Sequence, residues 1–129
     1  MSVWDELTPE QYAVMINATE EAYLNCVIYD YNLRVNGTQD VDAVVAPPIS
    51  EQEVRSLIPR FTAVVTDLLA RGWIEVYTPG GSWEDSEPMT PAQLTEVLGD
   101  PDSWITYPDR DNQMVMVVTS DGWDRLVDG

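Results

Sequence analysis

Three short segments of this chain carry the pattern that begins an α-helix, and they limit its possible folds more than any other feature. In each, a serine or threonine precedes a glutamate or glutamine by three positions, a pair that caps the free N–H groups of a first helical turn. The segments are Thr8-Pro9-Glu10-Gln11, Ser50-Glu51-Gln52-Glu53 and Thr90-Pro91-Ala92-Gln93. Proline at the first helical position strengthens two of them, because it needs no hydrogen-bond acceptor there. We therefore expect helices to begin near residues 9, 51 and 91.

The first of these helices is predicted to be long. Apolar residues recur every three or four positions in two adjacent stripes until Asn36-Gly37, a pair suited to a left-handed cap. Within this 1–37 segment, an unbroken helix from residue 9 to residue 36 would be about 40 Å long at 1.5 Å per residue, which is long for so small a domain. The helix therefore either bends or packs partly on a second copy of the chain.

The remaining sequence alternates between helical and extended patterns, so we expect a single α+β domain over 1–129. Pro59 divides the predicted helices at 50–58 and 59–71, and Arg71-Gly72 ends the second. The other expected elements are a loop with one short extended piece at 38–48, strands at 73–78 and 114–119, a helix at 91–98, and a short C-terminal helix.

The segment Thr62-Ala63-Val64-Val65-Thr66-Asp67-Leu68-Leu69-Ala70-Arg71-Gly72-Trp73-Ile74, with the later Thr119-Ser120-Asp121-Gly122-Trp123, resembles winged helix-turn-helix proteins, particularly the MarR and PadR groups. The resemblance implies a winged-helix-like domain, with a helix-turn-helix at about 50–71 and a two-stranded wing within 50–129. The small helix predicted inside the wing departs from the pattern of these groups. The resemblance also implies a homodimer, since these groups dimerise through terminal helices. The alternative is that the wide apolar face of the first helix covers the core of its own domain.

The charge balance excludes several classes of function. The chain has 23 acidic residues, six arginines, no lysine and no histidine, for a formal net charge of −17. Without histidine there is no Ser-His-Asp or Cys-His nucleophile and no imidazole metal ligand. The negative charge also opposes nonspecific attraction to nucleic acid or anionic membranes.

Other features indicate a cytoplasmic protein. Cys26, the single cysteine, has no internal disulfide partner, and no apolar run approaches the roughly 18 residues of a membrane span. The first residues are acidic where an export signal is basic. We expect no enzymatic activity, catalytic residue, metal or cofactor, although paired carboxylates converging in a pocket would make an enzyme the third hypothesis.

The segment from Glu84 to Asp111 is acidic and has three interpretations: a solvated surface, a divalent-cation site or a docking surface for a basic protein. A calcium loop needs a central glycine and a closing glutamate, and the spacing here provides neither. Aromatic residues among the acids favour docking, because aromatic rings anchor interfaces while carboxylates steer the encounter; alternatively, these rings belong to the core. The candidate partner-binding residues are Trp83, Glu84, Asp85, Glu87, Asp100, Asp102, Trp104 and Tyr107.

The favoured function is therefore a non-enzymatic, acidic protein-binding module, such as a regulator, inhibitor, immunity-type protein or DNA mimic. The alternative is a dimeric winged-helix transcriptional regulator that reads DNA with its third helix. Its candidate DNA-binding residues are Arg55, Arg60, Thr62, Thr66 and Arg110. This alternative requires the three arginines to converge on a surface without carboxylates.

Overall fold

Helices form most of the protein, and short antiparallel strands complete an α+β arrangement. The computed structural model describes residues 3–40, 43–45, 49–77, 89–107 and 115–128. The helices are α1 (Pro9–Thr19), α2 (Leu24–Asn36), α3 (Glu51–Ala70), α4 (Pro91–Gly99) and α5 (Asp121–Asp128). The strands are β1 (Thr38–Asp40), β2 (Ala43–Val45), β3 (Ile74–Tyr77) and β4 (Met116–Thr119), and 3-10 turns lie at Val3–Glu6 and Pro101–Ser103.

All three predicted helix starts are confirmed. The Thr8 hydroxyl accepts from the Gln11 N–H at 3.2 Å, and the Gln11 side chain accepts from the Thr8 N–H at 2.9 Å. The same reciprocal pair, between Thr90 and Gln93, begins α4. Ser50 accepts from the backbone N–H of Glu53 at the start of α3. These caps depend on neighbouring residues alone, which is why sequence is sufficient to place them.

The long N-terminal helix expected over 1–37 is wrong, because the chain breaks between α1 and α2. Glu21 adopts a left-handed conformation with φ 54°. The backbone beyond it pairs with β4: the Leu24 N–H donates to Val115, and the Val117 N–H donates to Ala22, each at 2.9 Å. Tyr23 forms an antiparallel bridge with Met116 between these bonds. A continuous helix would leave this edge of β4 without its partners.

The helix-turn-helix expected at 50–71 is also wrong, because α3 runs through Pro59 as a single helix. Its buried residues continue in one stripe across the proline: Val54, Ile58, Phe61, Val65 and Leu68. Proline costs a helix interior about 3 kcal/mol. Burying the stripe as one continuous face outweighs that cost, since each large apolar side chain contributes about 1.5–3 kcal/mol when fully buried.

The two strands expected at 73–78 and 114–119 are confirmed as the antiparallel pair β3–β4, with Val76 opposite Val117. Gly72, with φ 74°, turns the chain from α3 into β3, as the Arg-Gly end of the helix predicts. Gly122 lies directly against this turn, where a Cβ atom would collide with the Gly72 carbonyl. The glycine pair therefore lets α5 begin beside the end of α3.

The chain after α2 differs in detail from expectation. Gly37 has φ −72° and ψ 145°, an extended conformation instead of a left-handed cap, because β1 begins at the next residue. β1 pairs with β2 as a short antiparallel hairpin, with Thr38 opposite Val45. The structure therefore has two paired strands where the sequence predicted one short extended piece within 38–48.

The core draws on both ends of the chain. Trp123 of α5 is buried against Trp4 and Trp73, with ring centroids 5.0 and 5.2 Å apart. On the other side, Phe61 lies between Tyr31 and Trp104. Buried residues of α1 and α2 belong to the same cluster, so the apolar face expected to mediate dimerisation covers this chain's own core. The helix predicted at 91–98 is confirmed as α4, and the C-terminal helix as α5.

A single substitution tests whether α3 is continuous. If it is, Pro59→Ala restores a backbone donor and raises the free energy of unfolding by about 1–3 kcal/mol, after the greater entropy of the unfolded chain is allowed for. Urea unfolding measures the change. Pro91→Ala is the control, because Pro91 occupies the first turn of α4, where proline is favourable. If Pro59→Ala lowers stability, a second helix begins at Pro59 and the single helix is contradicted.

Candidate functional site

The described part of the predicted partner surface lies where α4 ends. Asp100 accepts the N–H of Asp102 at 3.0 Å and so caps the following 3-10 turn. An oxygen of Asp102 accepts from the Tyr107 hydroxyl at 3.1 Å. The structure therefore brings Asp100, Asp102 and Tyr107 together as a half-buried, hydrogen-bonded corner. Their side chains support the local backbone as well as carrying negative charge.

Trp104 is a correction to the predicted partner surface. It is fully buried beside Phe61, and its indole N–H donates to the Leu98 carbonyl at 2.9 Å. A ring held in this way fixes α4 against α3 and has no face left for a partner. The core interpretation of this aromatic residue is the right one. The predicted partner-binding residues Trp83, Glu84, Asp85 and Glu87 lie outside the described residues.

The residues predicted for DNA binding do not form a basic surface. Arg55 pairs with Glu51 at 3.2 Å and Arg60 with Glu10 at 3.5 Å. The Thr62 hydroxyl donates to Leu98 and that of Thr66 to the Thr62 carbonyl. Both arginines are more than 45% exposed and each lies beside a carboxylate, so no carboxylate-free arginine surface forms on the described α3. Arg110 lies outside the described residues.

An apolar groove of about 450 Å³ runs between α3 and α4. Its lining consists of Thr62, Thr66, Leu69, Pro91, Leu94, Thr95, Leu98 and Gly99. The three threonine hydroxyls donate to backbone carbonyls, at 2.9, 2.7 and 3.0 Å. Their single O–H groups are therefore occupied, and no charged side chain lines the groove among the described residues. It suits apolar side chains of a partner.

Sequence reasoning missed a second site, a cleft of about 510 Å³ between the end of α1 and α2. Its lining residues are Ile16, Glu20, Asp30, Leu33, Arg34 and Gly37. Asn17, 2% exposed, donates to Asp30 at 2.8 Å from beneath this cleft. An asparagine within an apolar helical stripe is the signal that points to it, because a buried amide requires specific partners.

Cys26 lies close to the same carboxylates. Burial is the main reason that the pKa of its thiol is raised, the carboxylates of Asp30 and Glu20 add to the rise, and a hydrogen bond from the Tyr23 backbone opposes it. A thiol is nucleophilic only as the thiolate, so a raised pKa makes Cys26 a poor nucleophile at neutral pH. Because Asp30 and Glu20 contribute to that rise, the reactivity of Cys26 reports the charge of these two carboxylates.

Neither a metal centre nor a membrane span is found in the described ranges. No group of three or more carboxylate or thiol side chains there is arranged to hold a metal ion. Likewise, none of the helices described combines the length and apolar character needed to cross a bilayer.

The reactivity of Cys26 tests this picture of the cleft. We expect slow alkylation by iodoacetamide at pH 7 and a rate that rises with a midpoint above about 8.5, the ordinary cysteine pKa. Asp30→Asn removes a negative charge, lowers the pKa of the thiol and speeds alkylation at pH 8, whereas Glu96→Gln on α4 has no effect. Alkylation at pH 7 as fast as that of an unstructured cysteine peptide contradicts the expectation.

Comparison with known proteins finds no match to this sequence. No protein-family model matches the sequence, and no curated protein or solved structure matches it.

Proposed function

We propose that this protein is a non-enzymatic docking module that binds a basic protein partner through the groove between α3 and α4. One observation carries the proposal: residues 91–99 line one side of an uncharged, apolar groove, and the sequence from 72 to 109 that contains them has acids and no basic residue. Within the described part of that stretch, Glu96 is exposed on α4 and Asp100 follows Gly99 at the end of the groove.

The groove and the acids have complementary roles in this proposal. Apolar side chains of the partner fill the groove and provide the desolvated contacts, in place of the buried Trp104. Exposed carboxylates attract the basic partner over a distance of about one Debye length, 8–10 Å at physiological ionic strength, and raise the association rate.

In winged-helix terms, we propose that β3–β4 is the wing and that α4 is its insertion.

The arginines support a protein partner over DNA. Three of the five described arginines contact carboxylates of this chain, and a fourth, Arg34, stacks on Tyr12 with its guanidinium carbon 4.3 Å from the ring centroid. Strong DNA binders neutralise about 6–10 phosphates with free basic side chains. The distribution of positive charge therefore favours a basic partner for the carboxylates, as in a regulator, an inhibitor or a DNA mimic.

The proposal is tested by blocking the groove. The tagged protein is mixed with native host lysate at low salt, and protein and DNA are quantified after nuclease treatment. We expect a stoichiometric basic protein that Thr66→Arg releases, because the new side chain fills the groove with positive charge. Ala63→Arg is the matched control, because Ala63 is exposed on α3 and lines a separate cleft beside the start of α1, and this variant retains the partner. Enrichment of one DNA sequence, or a partner indifferent to Thr66→Arg, contradicts the proposal.

Two charge variants test whether the acidic segment itself, and not only the total negative charge of the protein, raises the rate of association with the partner. Glu84→Gln with Asp85→Asn and Glu87→Gln removes three negative charges from the acidic segment, and Glu6→Gln with Glu21→Gln and Asp124→Asn removes three elsewhere. With the identified partner, the first variant lowers the association rate constant by about tenfold at low salt and the second changes it little. Equal effects of the two variants contradict steering by this segment.

A further inference from the structure

Four acid–arginine pairs on the described helices share the same four-residue spacing, and two of them, Asp30–Arg34 on α2 and Asp121–Arg125 on α5, are open. Glu51–Arg55 and Asp67–Arg71 close at 3.2 and 2.8 Å. Asp30 and Arg34 on α2 have the spacing and order that favour an ion pair. Within the described ranges, however, no carboxylate lies within 4 Å of Arg34. The Asp30–Arg34 pair lines the cleft between α1 and α2.

Each member of the Asp30–Arg34 pair is held by a residue of α1. Asn17 donates to Asp30 Oδ2 at 2.8 Å and to the Ala13 carbonyl at 2.8 Å, which uses both hydrogens of its amide. The Arg34 guanidinium lies 4.3 Å above the centre of the Tyr12 ring, a cation–π contact. The two charges are thus fixed in place while remaining separate from each other.

The cleft also contains a second carboxylate and an apolar wall. Glu20, at the end of α1, is exposed and lines the cleft with Asp30. Ile16 and Leu33 provide the apolar lining, and Leu33 is 37% exposed. The site therefore presents two negative groups, one positive group and a hydrocarbon surface. Its volume of about 510 Å³ is within the range of small-molecule sites.

We propose that this cleft binds a free basic amino acid, L-lysine or L-arginine. Such a molecule carries two cationic groups, one carboxylate and an aliphatic chain, the complement of the groups in the cleft. The α-ammonium and α-carboxylate groups bind Asp30 and Arg34, and the side-chain cation binds Glu20. The methylene groups lie against Ile16 and Leu33.

Other ligand classes fit these groups less well. An acidic molecule would face two carboxylates, and a neutral apolar one would separate three charged groups from water without a partner. A metal ion finds no set of three ligands among the described residues. The inference concerns α1 and α2 and does not depend on docking at the α3–α4 groove.

Calorimetric titration with L-lysine and L-arginine tests the proposal, with cadaverine and norleucine as comparators. Cadaverine lacks the carboxylate of lysine, and norleucine lacks its side-chain cation. We expect at least one basic amino acid to bind with a Kd below about 1 mM. Each comparator binds about tenfold more weakly than lysine, because each loses one charge-assisted contact.

Variants then assign the binding to the cleft. Arg34→Gln and Asp30→Asn each weaken binding about tenfold, whereas Asp124→Asn on α5 does not change it. Circular dichroism confirms that each variant is folded. The proposal is overturned if neither amino acid binds, if norleucine binds as tightly as the tighter-binding of the two basic amino acids, or if folded Arg34→Gln and Asp30→Asn proteins bind that amino acid like the wild type.

Discussion

The backbone pairing between residues 22–24 and β4 is the contact on which the rest of the structure depends. Two hydrogen bonds of 2.9 Å, Leu24 to Val115 and Val117 to Ala22, attach the N-terminal helices to the β3–β4 pair. They require the break after α1, where the left-handed Glu21 costs about 1–2 kcal/mol. Each bond contributes about 1 kcal/mol net, and leaving these polar groups buried and unpaired would cost more. The same break places the end of α1 beside α2 and so forms the cleft.

The small number of arginines is the second constraint on the structure, because it limits how many carboxylates can form ion pairs within the chain. With six arginines against 23 acids, at least 17 acids would have no arginine of their own even if every arginine paired with one carboxylate. Arg55, Arg60 and Arg71 are used in this way. Arg34 is different, because Tyr12 holds it apart from the carboxylates of the cleft. The proposed docking module and the proposed amino-acid site are both argued from where the few positive charges lie.

Local patterns in the sequence predict much of the fold but not its breaks. The caps at Thr8, Ser50 and Thr90 and the Arg71-Gly72 end of α3 depend on adjacent residues, so they can be predicted. The break at Glu21 carries no glycine or proline and is caused by β4, nearly one hundred residues later. The continuity of α3 through Pro59 depends on a stripe that many elements bury together. Burial of Trp104 and the hydrogen bond from Asn17 to Asp30 likewise depend on tertiary packing, which adjacent residues do not determine.

Native-state hydrogen exchange at Leu24 and Val117 is the most direct test of the account, because their amides make the two bonds that join the helices to the sheet. If the backbone pairing between residues 22–24 and β4 belongs to the cooperative core, both amides exchange with the same free energy of opening as the Val65 amide. Val65 is buried in the middle of α3. Exchange of the Leu24 and Val117 amides by a much lower-energy local opening, while Val65 stays protected, would show that the N-terminal helices are only loosely attached and would contradict the account.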